Sequence, residues 1–374
     1  MFTRTKRVYI TIFIAMILIC GGISDKYERV CPGVVTVLAD TKTESAGITD
    51  TAMGTDCSVL VYADEKKAKQ TAQDVMDMLS YIEEKHLSWR IEGSDIANVN
   101  KNASDGNSYE TSEWTWGYLE KILDLSEKSD GAFDPTLGEI STLWNLGTDN
   151  PYIPQKKEIV DLLKKTGWEK VILEDGKVAL GDEVRIDLGA VGKGIGCDEA
   201  KKLLEDTDIQ AAVVSVGGSI LTYGKKVDSR PWKVAISNPR KDNSQSYLGI
   251  LTIEGNAFIS TSGDYEKYVI EDGVRYHHIL DPQTGYPADS GLISVTIVCD
   301  EGWLSDGLST ACFVLGYDKS LSLLEKYGAE AIFVTDEKEV MVTEGLKDIF
   351  SLTDETMHLR ETLAEMESSS ELSY

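Results

Sequence analysis

Positive charge is in short supply in this sequence. Its 374 residues carry 37 Lys and Arg against 63 Asp and Glu, a formal net charge of −26. Over most of such a surface the phosphates of nucleic acid are repelled, which excludes nucleic acid as the main partner. Any anionic ligand must therefore find a local cation. There are four histidines and six cysteines, with no CxxC and no Cys/His pair at metal-ligand spacing, so neither a zinc site nor a disulfide framework is indicated. Cys57, Cys299 and Cys312 lie in apolar stretches and read as small buried hydrophobes. The sequence also lacks an internal repeat and a Ser–His–Asp signature.

What is present is the composition of a globular protein, 42% hydrophobic and 27% charged, in a chain long enough for one large domain or two packed lobes. Arg4, Lys6 and Arg7 precede an apolar run from Val8 to Ile19. A basic start followed by a run short of the ~20 residues of a membrane span is a signal-peptide pattern. Met16-Ile17-Leu18-Ile19-Cys20 resembles a lipobox, with bulky Ile19 where a small residue is usual. The expected organisation is a signal segment over 1–20, a tether over 21–50, a folded body over 51–352 and an acidic tail over 353–374. Export is expected, with a lipid on Cys20 or an uncleaved N-terminal segment holding the protein to the extracytoplasmic membrane face.

Ala68, Ala72, Val75, Met76, Leu79 and Ile82 recur at three- and four-residue steps and predict an amphipathic helix. A second helix is predicted around Leu119, Ile122, Leu123 and Ser126, and a third from Pro154 to a stop at Gly167. Asp175-Gly176 predicts a tight hairpin over 171–180. Strands are predicted near 212–216, 247–253, 292–298, 331–335 and 340–343. Hairpins outnumber strand–helix–strand crossovers, so the predicted class is α+β with mixed or antiparallel sheets, in two intimately packed lobes.

Three motifs bear on chemistry. Asp187-Leu188-Gly189-Ala190-Val191-Gly192-Lys193-Gly194-Ile195-Gly196 reads as a glycine-rich loop feeding a helix with Ala200, Leu203 and Leu204 on one face. Such a loop offers N–H groups to a phosphate, although it has neither Walker A nor G-x-G-x-x-G spacing. A plain structural turn is the equal alternative. His277-His278 beside Asp281-Pro282-Gln283-Thr284-Gly285 offers a general base; the alternative is one exposed and one backbone-bonded histidine in a polar turn. Asp306 and Thr310, four apart in an apolar helix, are suitable oxygen ligands for Mg²⁺; the alternative makes Asp306 an N-cap and bonds Thr310 back to a carbonyl. Trp89 offers a face to a flat ring, and Thr261-Ser262-Gly263-Asp264-Tyr265 reads as a polar turn.

Taken in order, these segments resemble the FAD:protein FMN transferases of the ApbE type. The resemblance runs through Met53-Gly54-Thr55, Ser88-Trp89, Ser94 to Asn100, Gly131-Ala132-Phe133-Asp134-Pro135-Thr136 and the Asp187–Gly194 segment. It continues through Val216-Gly217-Gly218, Thr261–Tyr265, His278–Gly285 and Asp306–Thr310, spanning about Thr51 to Phe350. It implies that Met53, Trp89, Ala132, Phe133, Asp134, Asp187, Lys193 and Ile279 contact FAD. It further implies that Ala190 (by its carbonyl), Asp306 and Thr310 hold Mg²⁺, and that His278 assists proton transfer. The implied reaction moves FMN from FAD to a Thr or Ser hydroxyl of another protein, an exported redox subunit, with release of AMP. His278 and Asp306 both stand as candidates for the base. The rival readings are an FAD pyrophosphatase giving FMN and AMP, and a non-catalytic flavin-binding surface lipoprotein.

Overall fold

The computed structural model describes residues 45–104, 106–226, 228–240 and 246–360, with the backbone of two strands at 27–29 and 35–40. The expected signal segment with Cys20 and most of the expected acidic tail lie outside the described residues.

Alternation along the central strands sets the architecture. Every residue of Ala211–Val216 is buried: Ala212, Val214 and Val216 join a helical core, while Ala211 and Val213 join a second apolar layer. A strand covered on both faces reads as a continuous apolar run, which is why the sequence shows it clearly. The same division splits Phe333 from Ile332 and Val334, and Val295 and Ile297 from Ile293. Burying each such side chain contributes about 1.5–3 kcal/mol, so a one-residue slip would expose the whole set.

Nine strands form this central sheet: β1 (Ala46–Ala52), β2 (Thr55–Val61), β3 (Ala211–Val216), β4 (Ser219–Gly224), β5 (Ala257–Gly263), β6 (Leu292–Cys299), β7 (Glu330–Thr335), β8 (Glu339–Val342) and β9 (His358–Leu359). They lie side by side in chain order, antiparallel except where β9 joins β8. Helices α1 (Glu65–Ile82), α6 (Gly192–Glu205), α7 (Gly302–Leu315) and α8 (Tyr317–Tyr327) contribute to the helical core. A five-stranded antiparallel sheet supplies the second layer. It contains Trp232–Ser237, Tyr247–Ile253 and Phe350–Leu352, and Trp232, Val234 and Leu251 pack toward Val213, Ile259 and Ile332.

Between β2 and β3 the chain makes a long excursion through α2 (Asp95–Asn102), α3 (Glu113–Lys128), α4 (Gly138–Trp144) and α5 (Lys156–Leu163). Part of it has its own small core, in which Ile140, Trp144 and Ile159 meet Leu280, and Trp144 Nε1 donates to the Gly285 carbonyl at 2.9 Å. The hairpin pairs Val171–Glu174 with Lys177–Leu180, and Asp175 (φ 49°) and Gly176 (φ 75°) supply the left-handed turn that Asp-Gly predicted. α5 starts later than Pro154 suggested, because Gln155 and Glu158 form a capping box that fixes its first turn.

The mixed, largely antiparallel α+β class is as expected, but the edges of the folded body differ. The segment taken as a tether supplies β1 and the strand Val35–Asp40, which pairs with Trp232–Ser237. The start of the expected tail is also structural, since Asp354 is buried and accepts a hydrogen bond from Asn238, and β9 follows it. Neither segment shows long apolar periodicity, because each adds short strands to a sheet built mainly from the rest of the chain. Cys57, Cys197, Cys299 and Cys312 are buried free thiols, as their apolar surroundings implied for three of them.

Candidate active site

Helices α6 and α7 cross where glycine faces glycine. A Cβ on Gly194 would stand 2.0 Å from the Gly302 carbonyl oxygen, and one on Gly302 would stand 2.2 Å from that of Gly194. A Cβ on Gly196 would meet Leu79 Cδ2 of α1 at 2.8 Å and Met53 Sδ at 3.0 Å. The second half of the glycine-rich segment, from Gly192 on, is therefore helix, and only 187–191 is loop. Its glycines let helices touch backbone to backbone, a use that glycine spacing alone does not separate from phosphate binding.

This close crossing permits a reciprocal arrangement. Asp198 of α6 accepts the N–H groups of Gly302 (2.7 Å) and Trp303 (2.8 Å) at the start of α7. Asp306 of α7 accepts the Gly194 N–H at the start of α6 (3.1 Å) and pairs with Lys193 Nζ at 2.9 Å. Each helix thus satisfies first-turn donors of the other, and each carboxylate sits at the positive end of a helix dipole. Burial pushes Asp198 up to about 6 against the pull of its two donors. For Lys193, burial works toward a lower pKa, but the charge and hydrogen bond of Asp306 outweigh it and the ammonium is held above its ordinary range. Asp306 does not cap its own helix: Glu301 holds that position. Thr310, one turn further along, has its hydroxyl 3.4 Å from Ser262 Oγ.

Lys193 and Thr310 open into a cavity of about 320 Å³ whose lining includes Ala132, Phe133, Asp134, Asp187, Ala190, His278 and Ile279. Nine of the twelve residues singled out in the sequence therefore share one wall system, with Asp306 bonded to Lys193. Asp134 and Asp187 shape their loops: Asp134 accepts from Thr136 N–H (2.8 Å) and Trp168 N–H (3.2 Å), and Asp187 from Gly189 N–H (2.8 Å).

Met53 and Trp89 do not line the cavity. Met53 adopts φ 54°, donates its N–H to Glu83 Oε2 at 2.7 Å and packs beside the α6 glycines. The Trp89 ring carries the Arg90 guanidinium 4.0 Å from its centroid, and Arg90 reaches the cavity. Arg90, Glu266 and Lys267 are lining residues that the sequence reading did not single out, and Thr261 and Ser262 lie on β5 rather than in a turn. The signal for the two cations was the acidic composition itself, which requires local positive charge around any anion.

The two histidines diverge, and neither is exposed. His277 is buried, with Nε2 3.1 Å from the Ala288 carbonyl. His278 faces the cavity and its Nδ1 is buried without a hydrogen-bond partner. Burial, then the charges of Lys267, Lys193 and His277, lower its pKa to about 3, so the imidazole is neutral at physiological pH.

Among the described residues no three His, Cys, Asp or Glu side chains converge as a metal cage. The Asp306 carboxylate with the Thr310 and Ser262 hydroxyls forms an all-oxygen donor set of one carboxylate, the kind that suits Mg²⁺ when ligand phosphates complete the shell. The set fits, provided Lys193, which here balances the Asp306 charge, shares or yields its oxygen.

The ApbE family model matches residues 53–333. The chain is 32% identical over 321 residues to the FAD:protein FMN transferase of Treponema pallidum (strain Nichols), covering 81% of this chain and 88% of that protein. It is 28% identical over 296 residues to the one from Haemophilus influenzae, covering 77% and 84%. Its fold is similar to the ApbE protein of Thermotoga maritima, with TM-score 0.75 and 32% identity over 82% of this chain and 99% of that one. It is also similar to the apo flavinyl transferase ApbE of Pseudomonas stutzeri, with TM-score 0.72 and 27% identity over 84% and 100% of the two chains. The matched span contains α6, α7 and every wall of the cavity, and the chain belongs to the ApbE family.

Proposed function

We propose that this protein is a transferase that moves FMN from FAD to a Thr or Ser hydroxyl of another protein and releases AMP. The observation that carries the reading is the convergence, in one cavity of a strongly acidic chain, of Arg90, Lys193 and Lys267 with an unpartnered neutral imidazole nitrogen. The three cations suit a doubly charged pyrophosphate. The acceptor oxygen attacks the FMN-side phosphorus, the bond from that phosphorus to the bridging oxygen breaks, and AMP leaves with that oxygen. Positioning and charge neutralisation carry most of such a step.

His278 suits the attacking proton better than Asp306. Its Nδ1 is free, whereas both Asp306 oxygens are engaged by Lys193 and Gly194. A bound pyrophosphate would counter Lys193 and Lys267, two of the charges that depress the imidazole, and so raise its basicity. Mg²⁺, held by Asp306, Thr310 and the Ala190 carbonyl, would supply charge neutralisation at the phosphates. The basic start and apolar run before Cys20 support a place at the extracytoplasmic membrane face, where the acceptor would be an exported redox protein.

The test incubates the chain with FAD and Mg²⁺, with and without an exported flavoprotein subunit. The expected result is AMP in step with covalent flavin fluorescence on the acceptor band, both lost with EDTA. AMP and free FMN without labelling would replace transfer by hydrolysis, and absence of AMP would leave a flavin-binding protein.

A further inference from the structure

A second cavity, of about 430 Å³, adjoins the first and shares Ala132 with it. One face of α8 lines it, through Lys319, Ser322, Leu323 and Lys326 at i, i+3, i+4 and i+7. Val314 and Leu315 from the end of α7, with Leu323, give it apolar surface. Two loops complete it, residues 128–132 and the turn with Asp281 and Gln283. Both loops run on into the first cavity, one to Phe133 and Asp134 and the other back to Ile279 and His278.

The charge of this hollow departs from that of the chain. Lys128, Lys319 and Lys326 face Asp130 and Asp281 within it, whereas the whole sequence carries −26. Lys128 is committed to Asp124 at 2.7 Å. Among the described residues Lys319 and Lys326 have no carboxylate partner. Although Asp130 and Asp281 lie on the facing loops, the α8 face presents two ammonium groups outside ion-pair distance of any described carboxylate, beside the apolar Leu315 and Leu323. That face suits a ligand that is both anionic and apolar, which inorganic phosphate is not.

We propose that this hollow seats the acceptor polypeptide. A segment with an Asp or Glu paired to Lys319 and Lys326, and an apolar neighbour on Leu315 and Leu323, presents its hydroxyl-bearing residue to the cavity that holds His278. The cavities share a wall residue, so a few residues of extended chain, at about 3.3 Å each, cover the step between them. This rests on the transferase reading but concerns a different surface, and its failure is separately visible.

The test uses the whole chain and two fluorescein-labelled peptides of one Thr, three Leu and several Gly, one with three Glu and the other with Gln in their place. Binding is read by fluorescence anisotropy and turnover by AMP release from FAD alone. The acidic peptide is expected to bind about threefold to tenfold tighter than the neutral one, the range for two exposed ion pairs, with the preference fading as salt rises. Lys319→Glu/Lys326→Glu is expected to abolish that preference, and a Lys-bearing peptide to bind the double variant better than the parent. Melting temperature and AMP release without peptide are expected to be unchanged in the variant. Equal affinity for the two peptides, or a preference that survives charge reversal, overturns the proposal. Inorganic phosphate that displaces the acidic peptide at equimolar concentration also overturns it, in favour of a small-anion site. A chain that binds the acidic peptide yet releases no AMP leaves this surface standing and removes the transferase reading.

Discussion

Gly194→Ala sets two effects of opposite sign against each other. Alanine is favoured over glycine in a helix interior by about 1 kcal/mol, so helix propensity alone makes the variant more stable. The added Cβ, however, would stand 2.0 Å from the Gly302 carbonyl oxygen, 2.5 Å from its carbon and 2.8 Å from Asp306 Cβ. Two of those atoms are backbone and cannot rotate aside. Restoring a van der Waals contact of about 3.5 Å requires α6 and α7 to separate by more than an ångström. That shift breaks the contacts of 2.9 Å to Lys193 and 3.1 Å to Gly194 that Asp306 makes across the crossing. Overpacking of this kind costs roughly 1–3 kcal/mol, and more against backbone, so destabilisation wins. The expected result is a melting temperature lower by roughly 2–5 °C and AMP release from FAD reduced further than the loss of folded protein explains. Gly117→Ala in α3 is the control, because a Cβ there meets nothing within 4 Å. It is expected to leave turnover unchanged and raise stability by up to about 1 kcal/mol. If Gly194→Ala melts and turns over like Gly117→Ala, the close crossing does not hold the site together.

Two further outcomes follow from the same geometry. His278 has a folded pKa of about 3, below its usual 6.5, so between those values the unfolded chain binds a proton that the folded chain does not. It therefore destabilises the fold progressively as pH falls from 6.5 toward 3, and contributes nothing above that window. His278→Gln is expected to lose less melting temperature than the parent between pH 7.5 and 5; identical losses would mean the imidazole is solvated. Asp198→Ala removes the acceptor for the Gly302 and Trp303 N–H groups and is expected to cost about 1–2 kcal/mol. Because α7 also carries Asp306 and Thr310, AMP release should slow while FAD affinity stays within a fewfold. A variant with full turnover and only lowered stability would make Asp198 scaffold alone.

The sequence was most readable where periodicity and burial coincide. The amphipathic helix around Val75 and Leu79, the Asp175-Gly176 hairpin and the doubly buried strand Ala211–Val216 each carry a local pattern that tertiary packing keeps. An edge strand such as β1 (Ala46–Ala52) is not legible, because pairing on one side only demands no long apolar signature. The Gly192, Gly194 and Gly196 series was misread as loop for a related reason: its cause lies in Gly302 and Leu79, far away in sequence. Lys193 and His278, singled out through collinear motifs, line one cavity, and Asp306 pairs with Lys193 beside it. Arg90 and Lys267 were missed, because a single surface-type cation looks the same whether it faces solvent or a cavity.

The central sheet keeps its strands in chain order, yet its longest connection leaves β2 at Val61 and returns on the neighbouring β3 at Ala211, with Tyr62 N–H bonded to the Ala211 carbonyl at 3.0 Å. Hairpins such as β1–β2, β3–β4 and β7–β8 close on short turns, whereas the β2–β3 seam must bring together the ends of a loop of roughly 150 residues, an entropic cost of about 4 kcal/mol. Pairings of that sequence separation form late in folding. That loop carries Phe133, Asp134, Asp187 and Lys193, while Thr310, His278 and Asp306 come from beyond it. The cavity is thus assembled from both sides of the costliest loop closure in the sheet, and zipping its short hairpins alone does not bring the walls together.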